Sequence, residues 1–187
     1  MTTTSPSRTR TRQAILDAAI DVLARNGSAS LGDIAVAARV GRTTLHRYFA
    51  ERSDLLAAVG VEGNERLNRA TQIARVDEGT GAEALLRLCR EYFDLGSLLS
   101  LVFSEPALIG DENCWDPHND VAFRRLAERG HHDGTIDAEL PADWLESLMW
   151  SQLYAAWAYL SDNPDASRHH VLHLLIRSLG NAVAPPR

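Results

Sequence analysis

The sequence has no lysine: all 19 of its basic residues are arginine. It has only two cysteines, Cys89 and Cys114, which cannot make the disulfide framework of a small secreted domain, so a reducing cytoplasm is the expected setting. No apolar run approaches the ~20 residues that a helix needs to cross a bilayer. The opening MTTTSPSRTRTRQ has no apolar segment before the first helix, and so is not a secretory signal. A soluble, cytoplasmic chain without membrane contact is expected. Also missing are a glycine-rich phosphate loop and any sequence-local base beside Cys89 or Cys114, so no enzyme motif stands and no cofactor is implied. Apolar residues at 45% exclude a disordered chain, and 187 residues suffice for one or two small domains with a real core.

The net charge of −6 is unevenly spread. Residues 1–50 hold seven arginines (Arg8, Arg10, Arg12, Arg25, Arg39, Arg42, Arg47) against Asp17, Asp21 and Asp33, a balance of +4. The remainder holds 12 arginines against 22 acids, a balance of −10. A basic head for nucleic acid and an acidic body kept off it fit that asymmetry.

The most informative stretch lies in the head, SLGDIAVAARVGRTTLHRYFAER from Ser30 to Arg52. Ser30 with Asp33 three positions on is a capping-box-like helix start. Ile34, Ala35 and Ala38 share a face, and the alanines let a neighbouring helix approach closely. The run breaks at Arg39-Val40-Gly41, where Gly41 is expected to supply backbone freedom. In the next helix Leu45 and Phe49 point inward. Arg42, Thr43, Thr44, His46, Arg47 and Tyr48 are left outward, and each can donate a hydrogen bond to a phosphate or a base edge. Helix, short turn and polar-faced helix make a helix-turn-helix.

At these residues, and most of all over TTLHRYFAERSDLL, the chain resembles the TetR/AcrR transcriptional regulators. The resemblance covers residues 9–60 closely and the rest by length and helical layout. It implies an all-α protein: a three-helix DNA-binding head over 9–50, after a basic arm over 1–8, and a ligand-binding and dimerisation domain over 51–187. It implies a homodimer on an inverted-repeat operator in double-stranded DNA, a repressor released by a small-molecule effector. The DNA-facing set is then Ser30, Arg42, Thr43, Thr44, His46, Tyr48 and Arg52, with Arg42 and Thr43 at base edges or nearby backbone. Thr44, His46, Tyr48 and Arg52 would sit on phosphate. Three positions depart from the family: His46 replaces a tyrosine that contacts phosphate, Arg39 a glycine in the turn, and Gly32 a polar residue that often reads bases.

Residues 1–8 are expected to be disordered, with Arg8, Arg10 and Arg12 either solvated or touching the DNA backbone or minor groove. Helices are expected over 9–26, from 51–53 to 73, and over 82–93, 96–103, 118–132, 141–162 and 165–182, with no strand. Gly60 and Gly63 weaken the fourth helix, either as a soft point or as tolerated surface glycines. The last two helices are apolar over more than one stripe, so an outer face is expected to meet another chain. Leu153, Leu160, Leu172, Leu175, Ile176 and Leu179 are the candidates for that homodimer interface. Phe93, Val102, Phe103, Trp115, Phe123, Trp150, Tyr154 and Trp157 either line a ligand cavity between helices or fill the core. Ten acids in residues 105–143 make a solvated surface or favour a cationic effector. His169 and His173, four apart, and His131-His132-Asp133 lack a complete ligand spacing, and only one Glu-x-x-His string occurs (Glu128, His131), so no metal is expected. The rival reading, a helical-bundle enzyme or metal protein with a vestigial head, leaves the charge split and the exposed Arg-Thr-Thr face unexplained.

Overall fold

Side chains that take up free amides set where several of the helices begin. The computed structural model describes residues 6–104 and 117–186, among which there are nine helices and no strand. They are α1 (Pro6–Arg25), α2 (Leu31–Ala37), α3 (Arg42–Tyr48), α4 (Arg52–Ile73), α5 (Gly81–Phe93), α6 (Ser97–Ser104), α7 (Pro117–His132), α8 (Ala142–Asp162) and α9 (Arg168–Val183). Among the described residues no helix is long and apolar enough to cross a membrane.

Pro6 and Pro117 open their helices, where the missing N–H has no intrahelical partner to lose. Residues 6–8 are therefore helical rather than part of a disordered arm, and residues 1–5 lie outside the described residues. Thr80 and Glu83 close a capping box over α5, and the two bonds from Thr80 hold the Glu83 carboxyl below its usual range. Pro141 sits just before α8 as its cap rather than inside it. α9 starts at Arg168, three residues later than expected, because Ser167, not Asp165, supplies the cap: its side chain accepts from the His170 N–H.

The helices gather into two compact units, with the division inside α4 after Glu65. α4 runs unbroken through Arg52–Ile73 and so contributes to both units. The first unit also takes in α6, whose Leu98, Leu99 and Leu101 are buried and which packs on α1. Ile15, Leu16, Ile20 and Leu23 of α1, Ile34 of α2, Leu45 of α3, and Leu55 and Val59 of α4 complete its core. Gly60 and Gly63 are buried rather than tolerated at the surface. Near them the Asn64 amide donates to the Gly60 carbonyl at 3.2 Å, and Gln13 Nε2 donates to the buried Glu62 carboxylate at 2.9 Å.

In the second unit α5 packs on α7, α8 and α9, and α8 on α7 and α9. α5 and α7 meet with no side chain between them: a Cβ built on Gly81 would lie 2.2 Å from the Gly130 Cα. The Gly81 N–H donates to the Asp133 carboxylate at 2.9 Å and the Ala82 N–H to Thr135 Oγ1 at 3.1 Å, which ties the start of α5 to the end of α7. Arg168 joins α9 to α5. It lies 4.3 Å over the Phe93 ring and donates to the Phe93 carbonyl at 2.6 Å. Cys89 is fully buried on α5, and burial pushes its thiol up to about 12.

Candidate nucleic-acid interface

The capping box at α2 forms as the Ser30–Asp33 spacing implies. Ser30 Oγ accepts from the Asp33 N–H at 3.2 Å, and the Asp33 carboxylate accepts from the Ser30 N–H at 2.9 Å and the Ser30 hydroxyl at 2.7 Å. These bonds, with a smaller contribution from the Arg42 charge, hold the Asp33 carboxyl below its usual range. The Ser30 hydroxyl proton is thus committed to the cap, although its residue stays exposed.

The turn has a defined geometry. Ala38 ends α2, the Arg39 N–H donates to the Val36 carbonyl at 3.1 Å, and the Val40 N–H to the Ala35 carbonyl at 3.0 Å. This is a Schellman motif, which places the residue after the cap in the left-handed region. That residue is Arg39, at φ 55. Gly41, expected to provide the backbone freedom, is in ordinary extended backbone at φ −69 and caps α3.

Leu45 and Phe49 anchor α3 in the first unit's core. Arg42, Thr43, His46 and Arg47 are exposed, and Thr44 and Tyr48 half-buried. Arg42 lies alongside α2, where Gly32 leaves room: a Cβ there would stand 3.5 Å from Arg42 Nη2. Ser30, Leu31, Gly32, Arg42, Leu45 and His46 line a depression of about 240 Å³ on that side of α3. His46 Nδ1 is 3.3 Å from the Ala50 carbonyl. With Nδ1–H donating there, Nε2 is an acceptor in the neutral ring and a donor to phosphate only in the protonated ring.

Arg52 is placed differently from its expected role. Its Nη2 donates to the Gly27 carbonyl at the end of α1, and its Nη1 is buried without a hydrogen-bond partner. A guanidinium turned inward to close the α1–α2 connection is not free for a backbone phosphate. Two cations not counted in the DNA-facing set lie on the other side of α3. Arg8 stands 5.9 Å over the Tyr48 ring, and Arg8 and Arg47 line a second depression of about 290 Å³ with Ser7, Thr11, Thr44 and Tyr48. A basic residue on α3 itself is a signal the sequence carried; the approach of Arg8 is not.

In the second unit Phe93 and Phe123 are buried, Trp150 and Trp157 half-buried, and Tyr154 exposed. Trp150 stacks on Tyr92, with centroids 5.3 Å apart and planes at 28°, and Tyr154 lies 5.4 Å from Trp157. Thr71 donates to the Leu67 carbonyl and so accepts from the Tyr92 hydroxyl at 2.9 Å. Burial pushes the Tyr92 phenol up, and the Glu146 charge adds to that shift. Val102 and Phe103 are half-buried on α6 in the first unit, and Trp115 lies outside the described residues.

Of the residues expected at a dimer interface, Leu153 and Leu179 are 0% exposed and Leu175 only 3%, already covered by their own unit. Leu153 and Leu179 therefore have no surface left to offer a partner, a correction that follows from α8 and α9 packing on each other. Leu160, Leu172 and Ile176 are half-buried. The outer face of the pair is a groove of about 360 Å³ whose lining includes Gln152, Ala155, Tyr159, Leu174 and Ser178, with Leu175 from the expected set at its floor. His169, His170 and His173 are exposed, and no group of three potential metal ligands occurs among the described residues.

A capped helix, a tight left-handed turn and a short second helix with an exposed row of donors define a helix-turn-helix DNA-binding protein, a class of regulator rather than of enzyme. A family model described as bacterial regulatory proteins, tetR family, matches residues 15–59. The HTH-type transcriptional repressor LfrR of Mycolicibacterium smegmatis is 35% identical over 185 residues, 96% of each chain. The chain belongs to the TetR family of transcription regulators. The crystal structure of LfrR in complex with proflavine superposes with a TM-score of 0.74 at 33% identity, covering 95% of this chain and 98% of that one. The fatty acid degradation regulator FadR from Bacillus halodurans shares the fold, with a TM-score of 0.70 at 18% identity over 95% of this chain and 96% of that one.

Proposed function

We propose that this DNA-binding regulator is a cytoplasmic repressor that sits as a homodimer on an inverted repeat and leaves it when a flat cationic molecule binds the second unit. The observation that carries the reading is the outward row Arg42, Thr43, His46 and Arg47 on a helix anchored by Leu45 and Phe49. Arg42 and Thr43 read base edges, and Thr44, His46 and Tyr48 position the head on the backbone. The groove on the outer face of α8 and α9 supports pairing, since Tyr159 is 49% and Leu174 40% exposed, and Ala155 allows close approach. Two heads then read half-sites about one helical turn, ~34–36 Å, apart.

The effector class rests on likeness to LfrR, crystallised with proflavine, and on the Tyr92–Trp150 stack with the Glu146 charge near Tyr92. Aromatic faces and a carboxylate suit a planar cation. The test is a titration of proflavine against the chain alone, read by Trp fluorescence, then against the chain bound to the duplex upstream of its own gene. Proflavine also binds duplex DNA, so the two titrations are separate. Reciprocal coupling of about 1–3 kcal/mol requires a roughly 5–150-fold loss of operator affinity, and an equal loss of proflavine affinity when operator is present. Operator affinity unmoved by saturating ligand would refute release by this class of effector.

A further inference from the structure

The depression between α1 and α3 has the chemistry of an oxyanion site, and the residue expected to do that work is turned away from it. Arg8 and Arg47 enter it from two different helices, and none of its six lining residues is acidic. Among the described residues neither guanidinium has a carboxylate partner. Arg8 is held over the Tyr48 ring, so part of its freedom is already spent before any ligand arrives. The Thr11 hydroxyl donates to the Ser7 carbonyl at 3.0 Å, and Ser7, Thr44 and Tyr48 are the other hydroxyl-bearing residues of the lining. Thr44, Arg47 and Tyr48 share one face of α3, three and four residues apart, and Arg8 and Thr11 share one face of α1. Two planar forks with hydroxyls between them suit a tetrahedral anion bearing several acceptor oxygens. Beside a helix that reads bases, the anion within reach is a DNA backbone phosphate.

We propose that Arg8 and Arg47 clamp a single backbone phosphate of the duplex on each head, and that Arg52 makes no phosphate contact. The inference rests on the DNA-binding reading, and names residues of that interface which the family resemblance did not point to. Arg52 is a positioning residue. Through the Gly27 carbonyl it holds the α1–α2 connection against the start of α4.

Counterion release provides the test, because the slope of log K against log salt counts the phosphates neutralised, at about 0.9 per phosphate on B-DNA. The full chain is titrated with duplex DNA of arbitrary sequence between 50 and 200 mM salt. Arg8→Ala/Arg47→Ala is expected to flatten the slope by about 0.9 per head. The single substitutions are expected not to add, since the remaining arginine still partly neutralises the same phosphate. Arg47→Lys, which keeps the charge, is expected to keep the slope. Arg52→Gln keeps an N–H for the Gly27 carbonyl and loses the charge, so it is expected to have the unmodified slope. Arg52→Ala is expected to keep that slope too, while melting at a lower temperature. The clamp is overturned if the Arg8/Arg47 double variant retains the full slope, or if each single variant loses about 0.9 and the double twice that. The role of Arg52 is overturned if Arg52→Gln flattens the slope. An unmodified chain with no salt-dependent affinity for duplex DNA would instead overturn the DNA-binding reading itself.

Discussion

Replacing Arg39 by glycine is expected to make this protein more stable, although it removes a surface cation and adds a flexible residue. Arg39 occupies the left-handed position of the Schellman turn at φ 55, where a Cβ crowds the following carbonyl. A non-glycine residue there costs roughly 1–2 kcal/mol. Glycine removes that cost but returns about 0.4–1 kcal/mol to the unfolded chain as conformational freedom. The difference leaves about 0.5–1 kcal/mol in favour of Arg39→Gly. For a chain of 150–250 residues 1 kcal/mol moves the midpoint by about 2–4 °C, so the gain is roughly 1–4 °C. Arg39→Ala is the control: it loses the same guanidinium but keeps the Cβ, and is expected to gain nothing. Differential scanning of both variants measures the contrast, and DNA affinity at fixed salt shows that they have lost the same charge. Equal midpoints for Arg39→Gly and Arg39→Ala would show that the turn carries no backbone strain, and the argument from φ would fall.

Gly81→Ala is expected to destabilise the second unit towards the upper end of the roughly 1–3 kcal/mol typical of overpacking. The new methyl would meet Gly130 backbone at 2.2 and 2.3 Å rather than a movable side chain, and thermal unfolding checks it. Ser30→Ala is expected to lower the melting temperature at neutral pH by removing the α2 cap. The folded Asp33 pKa lies below its ordinary 3.8, so the carboxylate's share of the cap is present above that value and fades as the pH falls through the folded one; the gap between the two melts should narrow there to what the Asp33 N–H bond to Ser30 Oγ leaves, and a gap that does not narrow would refute the linkage. Leu174→Glu is expected to leave a folded chain that sediments as a monomer, whereas Leu153→Glu, placing a charge at a fully buried position, is expected to prevent folding. Two well-folded dimers would refute the assignment of the outer face.

What the sequence made legible is what short-range chemistry decides. The Ser30–Asp33 cap, the turn at residues 39–41 and the inward pair Leu45 and Phe49 each follow from partners within a few positions. The left-handed residue is Arg39, where the family resemblance puts a glycine, and not Gly41, because the Schellman geometry depends on where α2 stops. Arg52 was not legible as an internal donor, since its acceptor is Gly27, 25 residues earlier. Its place in the chain assigns α6 to the body, yet its leucines lie in the first unit with α1, a pairing that nothing local encodes. The periodicity of α8 and α9 marks them as apolar on more than one side. It does not say which side their own unit covers, and so does not separate Leu153 and Leu179, which that unit buries, from Tyr159 and Leu174, which it leaves exposed.

The burial of Cys89 gives the second unit an internal clock. A thiol with no surface, held up at about 12, has almost no thiolate at neutral pH and no route for an alkylating reagent. It can be labelled only in molecules that have opened. With Cys114→Ser leaving a single thiol, the rate at which a maleimide consumes Cys89 reports how often that unit exposes α5. A molecule that binds the closed form must slow that reaction in proportion to its occupancy, whether or not it affects DNA. Screening compounds by the lifetime of one sulfhydryl would find binders of this unit without knowledge of the operator.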